Sequence, residues 1–374
     1  MKKKILIGTV NLDIGGIEKT LIGLLNNIDY KKYDVDLLLL KTNGVLKEKI
    51  NKNVNIITPY KNKKTEKIVN SSNIICKILK HLLFNYITAR LWINKNKKYD
   101  VAISYSGYYP FIDKYIGLSN SNKKLIWVHT DLKKVYETDK LYRTRIKLTK
   151  NKYNYFNKII CVSESVKESF LKIFNINNDK IDIQWNIVDI NTTNNNELKI
   201  DGELKLISVG RLNYIKRYDN LIKIHQKLLQ DGLNIKTYLV GSGEEELKLK
   251  NMINEYKLND SFIMLGQLDN ILNIIKQADI FVSTSEFEGW PTVLLETLHV
   301  GVPFVAPNVN GIKDIANNIA PKNSFLLKEN NIESLCEGIK EMIERKKEIH
   351  FKFDIKEYNN KCIESFYELI KEEK

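Results

Sequence analysis

Ser285-Glu286-Phe287-Glu288-Gly289-Trp290-Pro291-Thr292-Val293-Leu294-Leu295-Glu296 is the stretch whose reading decides the fold. The apolar run before it, Ile280-Phe281-Val282, reads as a buried strand ending in Ser283-Thr284-Ser285. A polar turn containing Gly289 follows, and Pro291 stands where the first turn of a helix begins, a position that suits its fixed φ and missing N–H. Glu288 then lies on the turn at the carboxyl end of the strand, and Glu296 projects from the helix about one and a half turns in. In an open parallel sheet that edge is where ligands bind, and the unpaired N–H groups of the helix's first turn favour an anion. Two carboxylates eight residues apart across such a turn suit a ligand rich in hydroxyls with one phosphorylated end. A nucleotide sugar has that chemistry. Acids are also favoured at helix starts as solvated charges, which is the structural alternative for both glutamates.

Working outward, apolar strands alternate with helical patterns along the whole chain, the mark of parallel α/β sheets. At 374 residues the chain exceeds one hydrophobic core, so two domains are expected. Lys4–Val10 reads as the first strand, Asn11–Gly16 as a loop and Ile17–Leu25 as an amphipathic helix. The pair Gly15-Gly16 allows a backbone to approach a phosphate closely, or simply makes a tight turn. It is not the G-x-G-x-x-G dinucleotide fingerprint, which argues against NAD. His129 ends the run Lys124-Leu125-Ile126-Trp127-Val128, again at a carboxyl edge. Ser163 is placed to cap the helix after Ile159–Val162. Leu204–Val209 opens a second set of strands and leads into Gly210-Arg211-Leu212, with Lys216 and Arg217 at the next helix start. A guanidinium and an ammonium five residues apart on such a turn can grip both phosphates of a diphosphate. Tyr238-Leu239-Val240 and the turn Gly241-Ser242-Gly243 form a further strand and loop, and Leu265-Gly266-Gln267 another edge.

Charge is uneven. Residues 1–190 carry 35 Lys and Arg against 17 Asp and Glu, whereas residues 191–374 carry 24 against 28. Residues 61–98 hold Lys61, Lys63, Lys64, Lys67, Lys77, Lys80, Arg90, Lys95, Lys97 and Lys98 against Glu66 alone, with apolar residues near helical spacing. A basic amphipathic helix of this kind lies on an anionic bilayer surface, or packs on a core with its lysines outside. No zinc pattern or aromatic RNA-binding signature accompanies the basicity, so nucleic acid is not the expected partner. No apolar run reaches the roughly eighteen residues of a membrane span, and the Lys2-Lys3-Lys4 start does not read as a signal peptide. Cys76, Cys161, Cys336 and Cys362 stand apart from one another and from any metal-spaced histidine, which reads as thiols in a reducing compartment. Asp34-Val35-Asp36 invites a cation reading, but it opens the apolar run Leu37–Leu40 instead of following a strand. That inverted placement puts it away from the site, and no metal is expected.

The stretch Ser285–Pro307, with the glycine loop, Trp127-Val128-His129-Thr130-Asp131, Asn186–Asp189 and Gly210-Arg211-Leu212…Lys216, resembles the signature of the family-4 retaining glycosyltransferases. That resemblance covers nearly the whole chain. It implies a GT-B fold: two Rossmann-like domains facing each other across a crevice, with residues 1–190 binding acceptor, 191–353 binding donor and 354–374 a helix crossing back. It implies that Gly15 and Gly16 close over the donor diphosphate, that Arg211 and Lys216 clamp it, and that Gly241 borders the base. By the same resemblance Glu288 and His129 face the transferred sugar, Glu296 holds the ribose, and Gly289, Trp290, Pro291, Thr292 and Val293 complete the donor segment. The family pattern usually has Gly after the lysine. Arg217 stands there instead, as a further phosphate contact or an exposed charge. The expected activity is transfer of a hexose or N-acetylhexosamine from a UDP-linked donor, without metal, to a glycan or polyprenyl-diphosphate-linked acceptor in bacterial surface polysaccharide (capsule or lipopolysaccharide) synthesis. The expected location is cytoplasmic, peripheral at the inner face of the membrane. A sugar-nucleotide epimerase or phosphorylase on the same plan, and a non-catalytic membrane-binding protein, are the alternatives.

Overall fold

The computed structural model describes residues 2–13, 15–42, 44–58, 97–107, 109–138, 143–144, 146, 150–190 and 198–371. The basic segment 61–98, apart from Lys97 and Lys98, lies outside them, as do Cys76 and the linker Asn191–Glu197. The chain divides into two compact units, Met1–Asp189 with Asn359–Lys374, and Ile190–Tyr358.

The first unit is built on strands β1 (Lys3–Thr9), β2 (Tyr33–Leu39), β3 (Asn55–Ile57), β4 (Tyr99–Ser104), β5 (Ser121–Val128), β6 (Lys158–Cys161) and β7 (Ile181–Ile183). They pair in parallel in the order β3-β2-β1-β4-β5-β6-β7. Covered on both faces, these strands read as near-continuous apolar runs, and Ile5, Leu6, Ile7, Ile103, Leu125 and Ile126 are all fully buried. The order reverses between β1 and β4, so the loops after these two strands flank the switch point where such sheets bind ligands. The helix Gly16–Asn27 leaves the β1 loop, and Ser163 caps the helix Glu164–Leu171 by accepting from the Val166 N–H. The C-terminal helix, Ile355–Leu369, brings Phe366 to 6.3 Å from the Trp127 ring and stacks Tyr367 on Tyr33 at 5.1 Å. Asn359 exchanges two hydrogen bonds with the Val188 backbone, at 3.0 and 2.8 Å.

Asp36 sits inside β2 and is buried. It accepts from Asn55 Nδ2 at 2.8 Å, from the Tyr99 hydroxyl at 2.5 Å and from Lys97 Nζ at 2.5 Å. Burial works to raise its pKa, and those three donors outweigh burial and hold it below the usual carboxylate range. This carboxylate therefore ties β2 to β3 and to the start of β4. Cys161, Cys336 and Cys362 are buried, and none forms a disulfide among the described residues.

The second unit contains β8 (Leu204–Val209), β9 (Ile235–Val240), β10 (Phe262–Gly266), β11 (Ile280–Val282), β12 (Phe304–Pro307) and β13 (Phe325–Lys328). They too are parallel, in the order β10-β9-β8-β11-β12-β13, with the switch between β8 and β11. The helix Tyr218–Gln230 buries Leu221, Ile222, Ile224 and Leu228, a spacing that places one apolar stripe against the sheet.

Candidate active site

At the switch point of the second unit, the turn after β8 and the turn after β11 are joined at four points. The Glu286 N–H donates to Ile215 O at 2.7 Å, and Thr284 Oγ1 donates to Lys216 O at 2.7 Å. The Arg217 guanidinium reaches Glu286 Oε2 at 3.2 Å, and Lys216 Nζ reaches Glu288 Oε1 at 2.6 Å. A small cleft beside this junction is lined by Ser208, Lys216, Tyr218, Ser283, Ser285, Glu288, Pro291 and Val293, among others.

Local sequence chemistry sets each turn. Asn213 caps a one-turn 3₁₀ helix, Tyr214–Lys216, by accepting from the Lys216 N–H, which turns Lys216 towards the strand edge. Arg217 then adopts φ 49°, ψ 44°, the left-handed conformation. Glycine enters that region at little cost, which accounts physically for the glycine usual after the lysine. Here the arginine is committed: Nε to Asp219 at 3.1 Å, Nη1 to Glu286 and Nη2 to Asn220 at 3.3 Å. The Asp219 hydrogen bond raises its pKa most, burial opposes it by less, and the charge of Asp219 and the contact with Glu286 add to the rise. The side chain is part-exposed and ion-paired with Asp219 and Glu286. Arg211 lies exposed on the loop just before.

The helix after β11 runs Thr292–His299, with Pro291 extended at its N-cap (φ −73°, ψ 92°) and no side chain capping it. The first-turn N–H groups of Thr292 and Val293 have no intrahelical acceptor by geometry. Pro291 supplies none. Trp290 and Gly289 are buried, and the Trp290 indole N–H donates to the Tyr358 hydroxyl at 3.0 Å. Glu296 is buried in the second turn of the helix. Two glycines are demanded by contact. Gly241 has φ 145°, and a Cβ there would stand 1.9 Å from Gly210 O. A Cβ on Gly311 would stand 2.2 Å from Gly289 O, and the Gly311 N–H donates to Glu288 O at 3.1 Å. Gly311 therefore fixes the Glu288 turn from behind. The sequence signalled it only as an Asn-Gly pair after a strand, and its role escapes sequence reading, as do those of Thr284 and Ser285.

In the first unit the corresponding edge carries the glycine loop and His129. Gly16 begins the helix, and nothing among the described residues lies within 4 Å of where its Cβ would be. His129 follows β5 and is buried. Its Nε2 stands 2.8 Å from Tyr105 O, and because a carbonyl only accepts, Nε2 carries the proton. Burial pulls the pKa down to about 4, with the Tyr105 hydrogen bond opposing it in part, so the ring is neutral. Nδ1 is then a bare acceptor, and it has no partner among the described residues. The Tyr105 ring packs against His129 at 4.8 Å, and its hydroxyl donates to Thr20 Oγ1 at 3.1 Å in the helix that begins at Gly16. His129 and the glycine loop are therefore linked through Tyr105 and Thr20.

These edges belong to a known class. Residues 189–364 match the family Glycosyl transferases group 1, and residues 14–192 match Glycosyltransferase Family 4. The chain is 27% identical over 335 residues to an uncharacterized glycosyltransferase of Haemophilus influenzae, covering 87% of this chain and 86% of that one. It is 27% identical over 181 residues to the N-acetylgalactosamine-N,N'-diacetylbacillosaminyl-diphospho-undecaprenol 4-alpha-N-acetylgalactosaminyltransferase of Campylobacter jejuni, covering 47% of this chain and 48% of the other. Among solved structures, HepE of Anabaena in complex with UDP and glucose aligns with a TM-score of 0.74 at 17% identity, covering 98% and 100% of the two chains. The fold is GT-B. The chain is a glycosyltransferase of family 4. Among the described residues no helix is long and apolar enough to cross a membrane.

Proposed function

We propose that the chain moves a hexose or N-acetylhexosamine from a UDP-linked donor to a glycan or polyprenyl-diphosphate-linked acceptor in bacterial surface polysaccharide synthesis, with retention of anomeric configuration. The observation that carries this reading is the Lys216–Glu288 pair, 2.6 Å apart, at the β8/β11 switch point beside an uncapped helix start. A cation and a helix N-terminus suit a diphosphate, and a carboxylate suits the hydroxyls of a sugar. In this reading Lys216 and Arg211 stabilise the charge that develops on the leaving diphosphate, Glu288 holds a hydroxyl of the transferred sugar, and Glu296 holds the ribose. The bare Nδ1 of His129 accepts from a sugar hydroxyl, and the open space at Gly16 admits the diphosphate. No metal has a part in it.

The UDP found with HepE and the undecaprenyl diphosphate in the name of the Campylobacter relative support the donor and acceptor classes. The basic balance of residues 1–190 supports work at the anionic inner face of the cell membrane. Incubating the protein with a panel of UDP-sugars and native lipid extract tests the reading. Mass spectrometry should find a lipid or glycan enlarged by one sugar, and NMR of the product should show the donor's anomeric configuration kept. Epimerised donor without transfer, or an inverted product, would reject it. Sedimentation with anionic but not neutral vesicles, weakening as salt rises, tests the membrane part.

A further inference from the structure

Glu288 accepts two hydrogen bonds, and both fall on one oxygen. Lys216 Nζ donates to Oε1 at 2.6 Å, and Ser285 Oγ donates to the same Oε1 at 2.7 Å. Oε2 receives none among the described residues. The two donors differ in what a ligand would do to them. Lys216 is a cation on a long flexible stem, and a diphosphate offers it more negative charge than a single carboxylate does. Ser285 is neutral, 3% exposed and short. Its segment is pinned on either side by the Thr284 Oγ1 bond to Lys216 O and the Glu286 N–H bond to Ile215 O.

We propose that Ser285 is a positioning residue for Glu288, holding the carboxylate by Oε1 once the donor diphosphate draws Lys216 away, so that Oε2 stays available to a sugar hydroxyl. The proposal rests on the reading of Glu288 as the group that meets the transferred sugar. Ionised, that carboxylate can only accept, and with Oε1 held by a fixed hydroxyl its remaining lone pairs keep one direction. Without Ser285 the carboxylate is left with the lysine alone. It then follows the ammonium to the phosphate or swings freely, and misplacement of that order slows a positioned reaction by about tenfold to a hundredfold.

Ser285→Ala in the full chain is the test, measured as UDP release from UDP-glucose or UDP-N-acetylglucosamine, with UDP binding followed by calorimetry. The expected result is kcat lowered by about tenfold to a hundredfold with UDP affinity within about twofold of normal. A merely structural serine would give the other pattern, because collapse of the turn would also disturb Lys216 and the helix start and weaken UDP binding in step. That pattern, or normal kcat, overturns the proposal. Glu288→Gln run alongside separates the two levels. If it is inactive while Ser285→Ala is normal, only the role of Ser285 falls. If Glu288→Gln itself turns over normally, the reading of Glu288 falls and the proposal goes with it.

Discussion

Two histidines, one in each unit, are both buried and both perturbed, yet only one keeps an unfilled hydrogen-bond valence. His225, on the helix Tyr218–Gln230, and His129, after β5, both have pKa values drawn down to about 4, by burial in each case. His225 is closed: Nδ1 lies 2.8 Å from Thr237 Oγ1, Nε2 lies 2.8 Å from Ser261 Oγ, and Phe262 meets the ring edge-on at 5.4 Å. His129 bonds through Nε2 alone and leaves Nδ1 bare among the described residues. A shifted pKa therefore does not separate a site residue from a core residue here. What differs between the two is an unfilled hydrogen-bond valence, and Glu288 repeats the pattern, with Oε1 doubly occupied and Oε2 receiving no bond among the described residues.

The largest effect should come where an open valence meets the reacting sugar. Glu288→Gln is expected to lower kcat and kcat/KM together by about a hundredfold to a thousandfold, as loss of a transition-state contact does. Lys216→Ala should raise the barrier by about 2–4 kcal/mol and weaken donor binding as well, because in the proposed function it holds the diphosphate in ground and transition states alike. Glu296→Gln should mainly raise donor KM, since ribose is unchanged through the reaction. Steady-state and single-turnover kinetics on the three variants check this. Identical patterns for Glu288→Gln and Glu296→Gln would break the division between them.

Next come the histidines themselves. His129→Phe keeps a flat ring and removes both nitrogens, and kcat should fall by about tenfold, the loss of one hydrogen bond of about 1.4 kcal/mol. His225→Phe should leave kcat alone and lower stability by about 1–3 kcal/mol, because Thr237 and Ser261 lose buried partners. Urea midpoints beside turnover numbers separate the two. A loss of turnover in His225→Phe at unchanged stability would undo the contrast.

How much of this was legible in the sequence follows from distance along the chain. The runs Ile280–Val282, Leu204–Val209 and Leu125–Val128 are continuous apolar strands that stop at polar residues, so Glu288, Arg211, Lys216 and His129 could be placed at carboxyl edges from pattern alone. Pairings across the chain could not. Lys216 and Glu288 are 72 residues apart, and their contact follows from β8 and β11 being neighbours, a matter of strand order that periodicity does not encode. Gly311 acts through its backbone and through the absence of a Cβ, which leaves no chemical trace in a single sequence. Arg217 shows the reverse case. Its charge invited a phosphate reading, while its backbone angle and three acidic or amide partners were invisible.

The smallest effect per unit of change is the pH dependence, and it divides stability from activity. An imidazole in the unfolded chain titrates near 6.5, whereas His129 and His225 hold at about 4 when folded. Between those values the unfolded chain binds protons that the native chain refuses, so lowering pH through that window destabilises the fold. Above about pH 7 neither state is protonated and the loss vanishes. Each histidine contributes at most about 1.4 kcal/mol per pH unit, and from pH 7 to 6 only about half of that. Urea midpoints taken at steps from pH 7.5 to 5.5 should fall less steeply in His225→Phe than in the unaltered chain. Turnover should behave differently. Nδ1 of His129 remains a bare acceptor until the pH nears the folded pKa, so its protonation should cut kcat/KM only below about pH 5. An acid limb attributable to His129, one that disappears in His129→Phe, with its midpoint near 6.5 would mean that this imidazole ionises as it does in water. The open valence at Nδ1 would then lie in a wet site, and the two histidines would differ in hydration as well as in hydrogen bonding.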